Sequence, residues 1–194
     1  MPFCVTCRDE NTGQEVEPLI VEAASEVAAR SYAEARGMIV GEVVFLPILK
    51  RIGYWTAGEQ PPVYPHPGRL VDPLWRCADR ARIVAYLQSG LCIASALGHS
   101  WCRVCRMRGK EMGSGEFSDG EWLWPEGLAH YIEAHQVRLP EPVVESMERR
   151  GWRVPADLGP LDGNLVDESF WLTWASQVQQ QGAEASAAPD QPRD

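Results

Sequence analysis

The chain has no long apolar run. A membrane-spanning helix needs about 18 or more consecutive apolar residues. The longest candidate, Met38 to Leu49, is broken by Gly41, Glu42 and Pro47. A secretory start is also missing, because Met1-Pro2-Phe3-Cys4 has no basic stretch leading into an apolar one. Positive charge is scarce: 18 Lys and Arg stand against 27 Asp and Glu, a formal net charge of -9. Phosphate backbones are gripped by clustered Lys and Arg, so this balance argues against nucleic acid as the main partner. No stretch has the strength of a catalytic signature, and no nucleophile stands beside an evident base. These absences lead to the expectation of a soluble, cytoplasmic chain. In that setting the six cysteines, Cys4, Cys7, Cys77, Cys92, Cys102 and Cys105, read as free thiols or metal ligands rather than disulfides.

What is present suits a folded protein. Hydrophobic residues make up 45% and charged residues 23%, enough to bury a core. The pattern predicts an α+β fold in two units. Residues 1–46 read as a ββαβ accessory unit. Phe3 to Cys7 and Glu15 to Val21 are strands about a polar Asp9–Gly13 turn. Ser25 caps a helix from Glu26 to Arg36, with Val27, Ala28, Tyr32 and Ala35 as its buried stripe, and Ile39 to Leu46 is a strand. Residues 47–73 hold six prolines and read as a connection, although Tyr54, Trp55 and Tyr64 suggest that it packs on something.

Residues 74–178 read as the main α+β unit. A helix is expected from Leu74 to Leu87 and a strand from Leu91 to Leu97. Ser118-Asp119-Gly120-Glu121 between aromatic arms marks a β-hairpin. Helices follow at 125–136 and 141–150, then a short strand Trp152-Arg153-Val154 and a last helix from Val166 to Val178. Residues 179–194 have the composition of a disordered tail.

The sharpest constellation is His99-x-x-Cys102-x-x-Cys105. Zinc prefers thiolate and imidazole in tetrahedral geometry, and a C-x-x-C turn can aim two sulfurs at one ion. Three sets compete: these residues with Cys77 or Cys92, the two pairs Cys4/Cys7 and Cys102/Cys105 together, or none, with the cysteines as ordinary core residues. Any zinc here would be structural. A redox dithiol is a weaker reading, because such an enzyme wants its first cysteine at a helix N-terminus. His130 with Glu126, Asp119 and Glu121 can be drawn as an acid/base set, but a capping role for Glu126 is the simpler expectation.

Trp101, Trp122 and Trp124 with Arg103, Arg106 and Arg108 are the candidate partner-binding residues. Tryptophan concentrates in binding hot spots, and this run, with Lys110, is the clear basic cluster. Packing competes as a role for the tryptophans and solvation for the charges. The segment Ser100-Trp101-Cys102-Arg103, Ser118-Asp119-Gly120-Glu121-Trp122-Leu123-Trp124-Pro125-Glu126-Gly127-Leu128-Ala129-His130-Tyr131 and Val137-Arg138-Leu139-Pro140 resembles a segment of uncharacterised bacterial proteins. The resemblance spans roughly residues 83–155. It implies one folded unit and a bacterial source, and it brings no activity. The expectation is a non-enzymatic protein-binding or adaptor protein, with a structural zinc as one option and no cofactor as the other. The alternative is a metal-dependent enzyme or redox factor built on His99, Cys102 and Cys105.

Overall fold

A computed structural model of the chain describes residues 1–56, 58, 64–106, 112–158 and 164–187. The fold is α+β, with two sheets and five α-helices among those residues. The chain divides into two compact units. The smaller is built on Met1–Ile48, and the larger on Leu49–Gly159 with the segment from Val166 on.

In the smaller unit β1 (Pro2–Asp9), β2 (Glu15–Glu22) and β3 (Met38–Phe45) form an antiparallel sheet in the order β2-β1-β3. Asp9 sets the first turn: its Oδ1 accepts from Asn11 N at 3.0 Å and Thr12 N at 2.8 Å. Helix α1 (Glu26–Glu34) starts at Ser25, whose hydroxyl accepts from Ala28 N at 3.2 Å. Its buried residues are Ala29 and Ala33, which pack with Phe3, Val5, Cys7 and Val21. The expected stripe is therefore rotated. Val27 is 73% exposed and Tyr32 45%, with the Arg36 guanidinium 3.5 Å from the Tyr32 ring centroid. Two alanines four apart let a helix approach a sheet closely, which the larger Val27 and Tyr32 would prevent.

The larger unit holds a mixed sheet in the order β5-β6-β7-β4-β8. Its strands are β4 (Ile48–Arg51), β5 (Leu91–Ser95), β6 (Gly115–Ser118), β7 (Trp122–Pro125) and β8 (Leu165–Asp167). The expected hairpin is β6-β7, closed by Ser118-Asp119-Gly120-Glu121 with Gly120 at φ 87°. Around the sheet lie α2 (Arg80–Gln88), α3 (Leu128–His135), α4 (Glu141–Arg149) and α5 (Ser169–Ala187).

Several elements depart from the sequence reading. The segment 47–73 is not a connection. It supplies β4, which pairs in parallel with β7, and it buries Leu49, Ile52, Trp55 and Leu70. Trp55 packs against Tyr131 and Trp171, with ring centroids 5.1 and 5.3 Å apart. Prolines and glycines tell where regular structure fails, not where burial fails. The helix expected from Leu74 begins only at Arg80. Arg76 is held at φ 43°, and its guanidinium bonds Glu141 at 2.6 Å and Glu148 at 2.8 Å, an anchorage that overrides helix propensity. Trp152-Arg153-Val154 is no strand. Gly151 and Trp152 are left-handed (φ 60° and 61°) and end α4, with Trp152 N donating to Met147 O at 2.9 Å. Helix α5 continues through Ala187, so residues 179–187 of the expected tail are helical, and 188–194 lie outside the described residues. Gln, Ala and Glu dominate that stretch and favour helix.

Candidate metal centre

Helix α3 buries Leu128, Ala129, Tyr131 and Ile132. That burial fixes the helix and turns His130 and His135 toward its flank, where both are half-buried. The helix stops at Gln136, left-handed at φ 52°. Against it lies the turn Cys102-Arg103-Val104-Cys105. Arg103 N donates to the Tyr131 hydroxyl at 2.9 Å, which pins the turn to the helix. Val104 N donates to Cys102 Sγ at 3.4 Å. Arg106 follows at φ 57°, so an arginine takes the left-handed position where a glycine is easier. The return to β6 is held by Glu126, whose carboxylate accepts from Ser114 N at 2.9 Å and Gly115 N at 3.1 Å. Glu126 therefore ties a loop rather than capping a helix.

These pieces bring Cys102, Cys105, His130 and His135 together, with one ligand atom from each residue all within 4.8 Å of one another. Cys102 Sγ lies 3.3 Å from His135 Nε2, Cys105 Sγ lies 3.4 Å from His130 Nε2, and the two Nε2 atoms lie 3.2 Å apart. Metal–sulfur and metal–nitrogen bonds of ~2.3 and ~2.05 Å at tetrahedral angles give edges of ~3.5 Å for S···N and ~3.3 Å for N···N. The observed spacings match both. Among the described residues this is the group of His, Cys, Asp or Glu side chains close enough to share one ion.

The electrostatics suit a cation. Burial, and then the neighbouring His130, lower the pKa of His135, which favours the neutral ring a metal needs. Burial pushes the Tyr131 phenol up to about 12, opposed by the Arg103 amide. The nearby Cys102 side chain also raises it. The Tyr131 hydroxyl accepts from the Arg103 amide, and the Cys102 side chain is among the groups that act on it. A protonated phenol beside a sulfur ligand is the kind of outer-shell partner that orients a metal site.

The other sequence candidates fall elsewhere. His99 is exposed and lines an open depression with Tyr54, Ser100 and Glu116, outside the four-residue group. Cys4 and Cys7 lie on β1. Cys7 is buried, and its thiol donates to Val5 O at 3.5 Å. Cys77 and Cys92 are exposed and outside the group as well. Trp122 and Trp124 are core residues, 2% and 1% exposed, and Leu123 between them is 1% exposed, because β7 is covered on both faces. Arg103 is not free for a partner: it donates to Trp101 O at 2.6 Å and Ser100 Oγ at 3.1 Å, and stacks on the Trp101 ring. Trp101 and Arg106 are exposed, and Arg108 lies outside the described residues.

The two histidines were legible as a pattern. Cys102-x-x-Cys105 followed by His130-x-x-x-x-His135 fits the C-x-x-C, H-x3-5-H spacing of four-ligand zinc sites. His99 drew attention because it is near in sequence, and His135 reads equally as part of a buried helix face. No family model, curated protein or solved structure matches the chain.

Proposed function

We propose that the protein binds one zinc ion through Cys102, Cys105, His130 and His135, and that the ion is structural. The observation that carries this is the mutual proximity of four donor atoms, all within 4.8 Å, with three of their distances, 3.3, 3.4 and 3.2 Å, close to tetrahedral edges. Zinc is favoured over harder cations by two sulfurs and two imidazoles, and over a catalytic role by the count of four protein ligands, which leaves no position for water or substrate. A catalytic dithiol enzyme is disfavoured by local structure, because Cys102 sits in a turn and, among the described residues, no helix starts at it.

The staple fixes a short turn that presents Trp101, Val104 and Arg106 to solvent. A rigid exposed aromatic beside a cation suits contact with another protein. The reading is therefore a zinc-stabilised protein-binding factor rather than an enzyme. The test is elemental analysis of the purified chain, followed by cobalt substitution. One zinc per chain, and tetrahedral cobalt bands with thiolate charge transfer that vanish in His135→Ala, are the expected results. A folded chain that carries no zinc and binds no cobalt would falsify the reading.

A further inference from the structure

The two sulfurs of the group are held in unlike environments. Cys102 is fully buried, and its sulfur accepts from Val104 N at 3.4 Å. Cys105 is exposed, and among the described residues its sulfur makes one hydrogen-bond contact, to His130 Nε2 at 3.4 Å, with no backbone N–H donating to it. A hydrogen bond to a thiolate withdraws electron density and lowers its nucleophilicity, so the buried sulfur is shielded by its burial and by the Val104 amide, and the exposed one is left available.

The remaining exposed thiols differ in a second way. Cys77 Sγ donates to Pro73 O at 3.0 Å and Cys92 Sγ donates to Ala94 O at 3.4 Å. Cys77 Sγ also accepts from the Arg80 guanidinium at 3.7 Å, and neither sulfur belongs to the four-residue group. A thiol that coordinates a metal loses its proton outright, and the thiolate is the form that reacts. Cys105 is therefore the one sulfur among the described residues that is both exposed and placed to coordinate the ion as a thiolate.

We infer that Cys105 is a peroxide-modification site and that its oxidation ejects the metal, an inference that rests on the zinc reading above. The oxidant is a small hydroperoxide such as hydrogen peroxide. In the first step the Cys105 thiolate attacks a peroxide oxygen. The S–O bond forms, the O–O bond breaks, and sulfenic acid and hydroxide result. In the second step the Cys102 thiolate attacks the Cys105 sulfur. The S–S bond forms, the S–O bond breaks, and a second hydroxide leaves. Two electrons pass from the sulfurs to one peroxide, and solvent protonates the hydroxides. The sulfurs begin within 4.8 Å of each other on one tight turn, so closing the disulfide needs only local movement. Zinc loses half of its ligands and leaves.

The experiment uses the full chain, with zinc content measured before oxidant is added. Hydrogen peroxide is then added in small molar excess with a chromogenic zinc chelator present. In a parallel sample dimedone traps sulfenic acid for peptide mapping. The expected result is release of all bound zinc together with loss of two thiols, dimedone appearing on Cys105 before Cys102, Cys77 or Cys92, and recovery of zinc binding after a thiol reductant. Because trapping uses the unaltered chain, it does not depend on any variant folding. Zinc retained through peroxide treatment, or first labelling at another cysteine, overturns this inference and leaves the zinc reading intact. Absence of zinc before peroxide overturns both.

Discussion

Tyr131 shows how one residue can serve packing and chemistry together. Its ring is buried against Trp55, and its hydroxyl accepts from the Arg103 amide in the turn that carries Cys102 and Cys105. Tyr131→Phe keeps the ring and removes that link. Metal affinity should fall about 10–100-fold, measured by competition with a chelator of known affinity, while far-ultraviolet circular dichroism stays unchanged. The tryptophans divide by environment. Trp124 is fully buried and donates Nε1–H to Leu87 O at 3.1 Å, so Trp124→Ala should cost about 3–5 kcal/mol in chemical denaturation. Trp101→Ala, at an exposed position, should change stability by no more than about 0.5 kcal/mol. Composition alone treats the two tryptophans alike. A denaturation series that ranked Trp101 as the costlier loss would reverse the assignment of Trp124 to the core.

At the scale of elements, the electrostatics organise around α4. Asp119 in the β6-β7 turn accepts from the Tyr86 hydroxyl at 2.7 Å and from Trp122 N at 2.8 Å. Arg150, just past α4, donates to Asp119 O at 2.6 Å and to Glu121 at 3.2 Å. At the other end of α4, Glu141 bonds Arg76 at 2.6 Å and Trp75 Nε1 at 2.9 Å. The Arg76 hydrogen bond is the main cause that holds the Glu141 carboxyl below its usual range. Burial alone would raise Glu121, but hydrogen bonds from Lys50 and Ser146 and nearby positive charge outweigh it and lower the group. A depressed folded pKa means the ion pair stabilises above the unfolded value of ~4.3, and that contribution is lost as pH falls through the folded pKa. The melting temperature of the parent should therefore exceed that of Glu141→Gln at neutral pH, and the gap should close in acid, below about pH 4. A gap that stays constant down to pH 2 would assign the effect to packing instead. The same ion pairs explain why the helix read from Leu74 starts late, since Arg76 leaves helical geometry to reach α4.

Over the whole molecule, removal of the metal should act on one unit. Hydrogen exchange after chelation should rise in 101–106 and in α3, while β1, β2 and β3 keep their protection. Loss of protection in both units would mean that the ion supports more than the turn it staples. Much of this organisation was readable from the chain. Period-two strands, Ser25 as a cap, the Asp-Gly hairpin and the helices at 128–135 and 141–149 follow from local preferences, which act over a few residues. Cys102 and Cys105 were readable too, because a C-x-x-C turn carries its own geometry.

Tertiary structure decided the rest, because those outcomes depend on partners distant in sequence. It joined His130 and His135 to the cysteines through a hydrogen bond between Arg103 and Tyr131. It drew the proline-rich 47–73 into a core with β7, chose Ala29 and Ala33 over Val27 and Tyr32, and buried both faces of Trp122-Leu123-Trp124. Local sequence sets the backbone's preferences, but which side chains leave water is fixed only when the surfaces that cover them are in place.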